Sequence, residues 1–183
     1  DDAHIDTAAE AALYSNFEVV RNTEAGGIID VSLLAGITAV QADAAGASSF
    51  TKLTAAQAAN ITVRQNATNL TVALATDTGT TDNVNLVYSA AAGFTSTAAL
   101  TVGNVETLTI TTTDTSSTTA NTGITTLVTA AAATTVTVSG GLGVNFGASL
   151  NQTVLTSLDA SGLSGTTAAD GLTWTAGALA AAA

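Results

Sequence analysis

Short runs in which threonine or asparagine alternates with a branched apolar residue recur along the chain. This alternation constrains the fold more than any other feature. Examples are Asn60-Ile61-Thr62-Val63, Asn69-Leu70-Thr71-Val72-Ala73-Leu74, Val84-Asn85-Leu86-Val87 and Thr134-Thr135-Val136-Thr137-Val138. A period of two sends one set of side chains to an apolar interior and the other toward water, which is the signature of a half-buried strand. Gly, Asn, Ser and Asp clusters at 77–83, 114–123, 139–143 and 161–165 separate the runs. Those residue types accept the backbone geometry of corners. Two segments depart from strand. Asp2 to Ser15 shows helical spacing at Ile5, Ala9, Ala12 and Leu13, and Thr54-Ala55-Ala56-Gln57 has the capping-box form, predicting a helical turn through Ala59.

A loose repeat, apolar-x-x-apolar-x-(apolar or small), links the runs at Ile37/Val40/Ala42, Val105/Leu108/Ile110, Ile124/Leu127/Thr129 and Leu155/Leu158/Ala160. An acidic variant places Glu18 after Phe17 and Glu106 after Val105, each two residues before Val20 or Leu108. Short strands in repeating units point to a solenoid, in which each coil buries its apolar face against its neighbours. The predicted architecture is all-β: a right-handed parallel β-solenoid (β-helix) with short helical turns near the N-terminal third. Coils of roughly 20–25 residues would stack in about eight layers. The rival is a β-sandwich, which also has short strands and frequent turns. Residues 1–183 read as a single domain, a segment of a longer protein, because no Pro-rich or charge-rich linker divides them.

Composition narrows the chemistry. Of 183 residues 39 are Ala and 36 are Thr, so the interior must be built largely from small and branched side chains. The net charge of −11 repels phosphate backbones and argues against nucleic-acid binding. With no Cys there is no disulfide, thiolate nucleophile or Cys-ligated zinc. The one histidine, His4, has Asp2, Asp6 and Glu10 near it, but a chain end is a poor foundation for a catalytic dyad. The expectation is a protein that is not an enzyme. No apolar run free of Thr, Asn, Ser and acids is long enough for a membrane helix, so no membrane span is predicted. No basic region opens the chain as a Sec signal would. The lack of Cys is compatible with export as an unfolded chain.

From Asn60 to Trp174 the chain resembles the C-terminal part of Caulobacter-type surface-layer (S-layer) proteins. The resemblance rests on Val105-Glu106-Thr107-Leu108-Thr109-Ile110 followed by Thr113-Asp114-Thr115, and on Thr156-Ser157-Leu158-Asp159-Ala160-Ser161 with Gly165 after it. The stretch Ala75-Thr76-Asp77-Thr78-Gly79-Thr80-Thr81-Asp82 and the early Phe17-Glu18 are also similar. The resemblance implies a Ca²⁺-dependent protein secreted by the type I route to the outside of a Gram-negative cell. There it would self-assemble into a lattice, with lipopolysaccharide or surface glycan held through other parts of the chain. The RTX-type nonapeptides of the wider group are not present. Their nearest counterpart, Gly140-Gly141-Leu142-Gly143-Val144-Asn145, is one copy with Asn in place of Asp and reads as a glycine corner.

Calcium is the chemistry these side chains support best, because Ca²⁺ takes six to eight oxygens from carboxylates, amides and carbonyls. The candidate ligands are Asp77, Asp82, Asn83, Glu106, Asp114, Asp159 and Asp170, most of them at predicted turns. The bland reading of each Asp is an Asx-turn. Glu18 and Glu106, at matching places in the repeat, could hold an ion between layers or form a solvated edge. Residues 65–183 contain six acids and no Lys or Arg, so a bound divalent ion would relieve repulsion that nothing internal offsets. Two other readings are weaker. Thr-x-Thr pairs at Thr107/Thr109/Thr111/Thr113, Thr135/Thr137 and Thr173/Thr175 suggest an ice-binding face, but their spacing is irregular and Glu106 and Asp114 interrupt them. Glycan cleavage by Asp77 and Asp82 lacks a cationic or His partner beyond residue 64. Trp174 reads as a core or end-cap residue. The reading is a calcium-stabilised structural surface protein, with a calcium-dependent adhesin module as the alternative.

Overall fold

The computed structural model describes residues 5–64, 69–90, 99–116, 123–150, 154–165 and 170–175. His4 and the Ala178–Ala183 tail lie outside the described residues. The chain winds through β1 (Val19–Asn22) and β2 (Gly27–Asp30), then β3 (Ala39–Ala42) and β4 (Ser48–Leu53), then β5 (Ile61–Val63) and β6 (Asn69–Leu74). It continues through β7 (Asn83–Ala90) and β8 (Ala99–Val102), and then β9 (Thr107–Asp114), β10 (Ile124–Thr125) and β11 (Leu127–Thr129). The last coils hold β12 (Thr135–Gly140) with β13 (Val144–Gly147), and β14 (Ser157–Leu163) with β15 (Leu172–Trp174).

Three parallel sheets form the faces of a β-solenoid. The long sheet has the order β1-β3-β5-β7-β9-β12-β14, a second has β11-β8-β6-β4-β2, and a third has β10-β13-β15. Parallel pairing throughout rules out the sandwich alternative, whose sheets are antiparallel. The expectation of about eight layers exceeds what forms: seven strands stack in the longest sheet. Coil length varies more than expected. Val20, Val40, Ile61, Leu86, Ile110 and Val138 lie side by side on successive strands, yet their spacing along the chain is uneven. The widest step falls between β9 and β12.

The core is one continuous column of inward residues. In the long sheet Val84, Leu108 and Val136 stack in one file and Leu86, Ile110 and Val138 in the next, all fully buried. Across the interior the second sheet supplies Phe50 and Val72 in one file and Leu70, Leu100 and Val128 in another. Polar groups that enter this interior are satisfied at two places. The Thr112 hydroxyl donates to the Leu142 carbonyl at 2.7 Å and accepts from the Leu142 N–H at 3.0 Å. Tyr88 and Thr126 share a hydrogen bond at 3.2 Å, and burial pushes the Tyr88 phenol upward despite that bond.

The two α-helical turns fall within the segments read as helical, but they are shorter, and a 3-10 turn forms where no helix was expected. The 2–15 pattern yields one turn, α1 (Ala8–Ala11), capped reciprocally by Thr7 and Glu10. Bonds from the Thr7 hydroxyl and from the Asp6 and Thr7 N–H groups hold the Glu10 carboxyl down at about 2. The Thr54 box opens α2 (Ala55–Ala58), with Gln57 bonded to the Thr54 N–H at 2.8 Å and, through Nε2, to the Ile37 carbonyl. A 3-10 turn at Val31–Leu33 is the third.

Three sequence expectations are corrected. In the Ile124/Leu127/Thr129 repeat only Ile124 is buried: Leu127 is 49% exposed, and Val128 is the inward residue. Thr126 separates β10 from β11, yet Ile124, Thr126, Val128 and Ala130 form one unbroken inward set, so the period of two runs straight on where the repeat would change phase. The predicted 161–165 turn is still strand to Leu163; Gly162 faces Ser139 after a register shift, so the extra residues form a bulge. Finally, two of the Thr-x-Thr pairs occupy the same place in one adjacent pair of coils, flanked by Asn83/Asn85 on β7 and Ser157/Asp159 on β14. Thr107/Thr109 lie directly beside Thr135/Thr137, because the extra length of that coil is placed after β9. Glu106 and Asp114 stand at the ends of the rank, not within it.

The glycine corner is as read. Gly140 ends β12 with φ +115°, and a Cβ there would run into the Thr112 backbone of the adjacent strand. Leu108→Ala should cost about 2–5 kcal/mol in denaturant unfolding, as a buried large-to-small change. Leu127→Ala should stay within roughly 0.5 kcal/mol, as an outward residue does. Equal losses at both positions would overturn the inward assignment.

Candidate metal centre

Acids of the described residues are treated in two different ways. In the first coils, cations of the chain neutralise two of them. Arg21 on β1 forms an ion pair with Asp43, whose side chain is 5% exposed. Lys52 donates from Nζ to Asp30 Oδ2 at 2.6 Å, and the Asp30 side chain is 9% exposed. Lys52 reaches it from a left-handed backbone (φ 56°) at a register shift in β4. Asp30 also caps the 3-10 turn, accepting from the Ser32 hydroxyl at 2.6 Å and the Ser32 N–H at 3.1 Å. Burial pushes its carboxyl up, but Lys52 and Ser32 together outweigh burial and hold it below its ordinary value.

Beyond residue 64 no Lys or Arg is available, and the acids gather differently. The β6–β7 loop carries Asp77, Gly79 and Asp82; the β8–β9 loop stacked beside it carries Asn104 and Glu106. Asn104, in a left-handed conformation (φ 44°), donates from Nδ2 to Asp77 Oδ2 at 3.0 Å. The Asp82 N–H donates to Glu106 Oε2 at 2.9 Å, and the Asp82 carbonyl accepts from the Thr107 N–H at 3.0 Å. Asp82 Oδ2 is shielded from water and accepts no hydrogen bond. It lies over Gly79, where an added Cβ would approach it to 3.2 Å. A buried carboxylate oxygen left without a donor is costly unless a cation or proton meets it. Carboxylate and amide oxygens suit a hard ion such as Ca²⁺, so the residues present fit one. Among the described residues no three acidic or imidazole side chains converge as a cluster. Additional oxygens would have to come from amides and loop carbonyls.

Of the seven predicted ligands, the structure places Asp77, Asp82 and Glu106 in two adjacent loops, without converging their three carboxylates. Asn83 adjoins them as the exposed first residue of β7. The other three stand apart. Asp114 ends β9 and accepts from the Ser116 N–H at 2.8 Å. Asp159 lies exposed within β14, not before a corner, and accepts from the Ser161 N–H at 2.9 Å. Hydrogen bonds from the Ser161 hydroxyl and backbone hold its carboxyl below its usual value. Both make local Asx contacts. Asp170 is buried at the approach to β15, where it occupies the space a Cβ on Gly165 would need. Asn104 is the member that sequence reading missed. Its signal was the Gly103-Asn104 pair just before Val105-Glu106.

Glu18 and Glu106 do hold matching local positions. The Glu18 carbonyl accepts from the Thr38 N–H, Ala39 N–H and Thr38 hydroxyl, and the Glu106 carbonyl accepts from the Thr134 N–H, Thr135 N–H and Thr134 hydroxyl. They precede strands four places apart in the long sheet, so they cannot share an ion between adjacent layers. The acid stacked beside Glu106 is Asp82.

Fold and corner together define a parallel β-solenoid with two adjacent acidic loops in its middle and two ion-paired acids, Asp30 and Asp43, in its first coils. Comparison with protein-family models, curated proteins and solved structures finds no match to the chain.

The Asp30 contacts give a pH dependence with a definite sign. A carboxyl whose folded value is depressed contributes stability above its unfolded value near 3.8, and loses it as pH falls through the lower folded value. Lys52→Met should lower stability at pH 7 by about 1–2 kcal/mol, between the values for exposed and buried pairs. It should also flatten the loss of stability below about pH 4, followed by urea unfolding at several pH values. An unchanged pH profile would remove Lys52 as the partner that matters.

Proposed function

We propose that the chain is a non-enzymatic structural solenoid of a secreted bacterial surface layer, stabilised by Ca²⁺ and built to contact copies of itself. The observation that carries the calcium part is the contrast between Asp30 and Asp82. Where cations exist the buried carboxylate has one, and where none exists a buried carboxylate oxygen has no donor. Bound Ca²⁺ would supply the missing positive charge between two adjacent loops. Asp82 and Glu106 would be its carboxylate ligands, with Asp77 and Asn104 held next to them.

Ion-coupled folding gives the mechanism. At low Ca²⁺ the acidic second half is held apart by repulsion, in a state suited to type I export. At the ~10⁻⁴–10⁻³ M affinities of extracellular modules, Ca²⁺ outside the cell would bind and stabilise the stacked loops. Self-contact is supported by the sheet ends: β1 edges the long sheet at one end of the solenoid and β14 and β15 edge two sheets at the other, while Ile5 bridges to Ile29 on the β2 edge. Such edges pair with other strands unless covered. A calcium-dependent adhesin module on the same scaffold is the alternative. Lipopolysaccharide or surface glycan would be bound by other parts of the chain. Among the described residues no helix is long and apolar enough to cross a membrane.

Thermal melts followed by far-UV circular dichroism, in EGTA and in Ca²⁺ or Mg²⁺, test this reading. Saturation to a hundred times Kd corresponds to about 2.7 kcal/mol of added stability. Asp82→Asn with Glu106→Gln should abolish most of the calcium response, whereas Asp159→Asn should retain it. Melting that ignores calcium would defeat the metal reading. An ordered planar array in electron micrographs separates the surface layer from the adhesin, which would bind an added glycan as a monomer.

A further inference from the structure

The outer face of the long sheet carries a rank of side chains of which the calcium reading uses only Asn83, at its edge. Its regular part spans β7, β9 and β12, which pair over eight and then six consecutive positions without a register shift. Two outward files cross it, Asn83–Thr107–Thr135 and Asn85–Thr109–Thr137. A third file runs through Val87, Thr111 and Ser139, where the two hydroxyls lie 3.3 Å apart. The chain carries a net charge of −11, yet none of these nine positions is charged. Asn83 is exposed and the other eight are half-buried, as outward positions within a paired sheet are.

We propose that this face binds ice. Neighbouring files are two residues apart, roughly 6.6 Å along the strand, and neighbouring ranks are about 4.8 Å apart across it. The prism face of hexagonal ice repeats its oxygens on a rectangular net of similar dimensions. Thr suits such a surface for two reasons. Its β-branched side chain is stiff at χ1, so hydroxyl and methyl positions are fixed in advance. It also offers a donor, an acceptor and an apolar group together, without the tightly held hydration shell of an ion. Four of the six residues in the first two files are Thr, and the other two are neutral Asn, of which Asn85 has its Oδ1 shielded from solvent. The bulge between β12 and β14 and the charge of Asp159 bound the array on that side. The face borders the metal corner at Asn83 and Thr107, whereas Thr109 and Thr137, the positions that test it, lie within the strands.

Ice-affinity partitioning of the intact chain tests it: protein is measured in slowly grown ice and in the remaining liquid. The wild-type chain should be enriched in ice at least tenfold over a globular control protein. Thr109→Lys and Thr137→Lys should each lose that enrichment. Thr101→Lys, exposed on β8 of the second sheet, should retain it. Circular dichroism establishes that each variant is folded. Exclusion of the wild-type chain from ice overturns the proposal without any variant. So does equal partitioning of folded Thr109→Lys and Thr101→Lys, or capture by insoluble cellulose or chitin but not by ice.

Discussion

Every part of the structure depends on parallel strands stacking in register, so that each inward side chain rests on its counterparts one coil above and one below. A single coil is too narrow to bury apolar surface alone. Its Val, Leu or Ile becomes inaccessible only when neighbouring coils cover it, as in the file of Leu86, Ile110 and Val138. Stability is then a sum of nearest-neighbour terms. This explains how an interior with few aromatic side chains can form a continuous core. Small residues fill the space that a narrow coil leaves, and Phe50, Tyr88 and Phe146 are the largest side chains it buries completely.

The same geometry dictates where charge can go. With the interior apolar and the sheet faces closely spaced, most acids are left for corners and strand ends, where each coil presents its loop next to the last, and Asp159 within β14 faces outward. Like charges are thereby stacked a single strand spacing apart, which favours a partner for each one. Asp30 and Asp43 have theirs within the protein. Asp82 and Glu106 are joined by one backbone hydrogen bond, with no Lys or Arg in the second half of the chain to complete the arrangement. The calcium proposal is a consequence of that asymmetry, and the neutral face of β7, β9 and β12 is its complement.

Much of the fold was legible because period-two alternation survives in any context that buries one face. Strand β6 appears at the residues read from the sequence, β5 and β12 nearly so, and the capping box at Thr54 opens its turn. Misreadings occurred where a local pattern was overridden by packing. The Ile124/Leu127 spacing fits the repeat, but strict alternation continues through buried Thr126 to Val128 and leaves Leu127 outward. Ser161-Gly162 has the composition of a turn, but β12 supplies a partner and draws it into a bulged strand. At the site, the acids were identifiable by type and by proximity to turns. Which of them meet was not, since Asp82 and Glu106 are 24 residues apart and touch only because one coil separates them.

The sequence by itself determined the class of structure and its charge. Alternating Thr and branched apolar residues make short strands, Gly and Asn make corners, and a chain without Lys or Arg beyond residue 64 cannot neutralise its own acids there. Tertiary structure alone decided the alignment of one coil on the next. Extra residues can be placed between strands without disturbing them, so equal places in successive coils need not be equally spaced in sequence. Thr107 and Thr135 become neighbours for that reason, although a whole coil of chain lies between them. The physical basis is that register answers to burial of the inward files, a property of two strands together that neither strand's sequence contains.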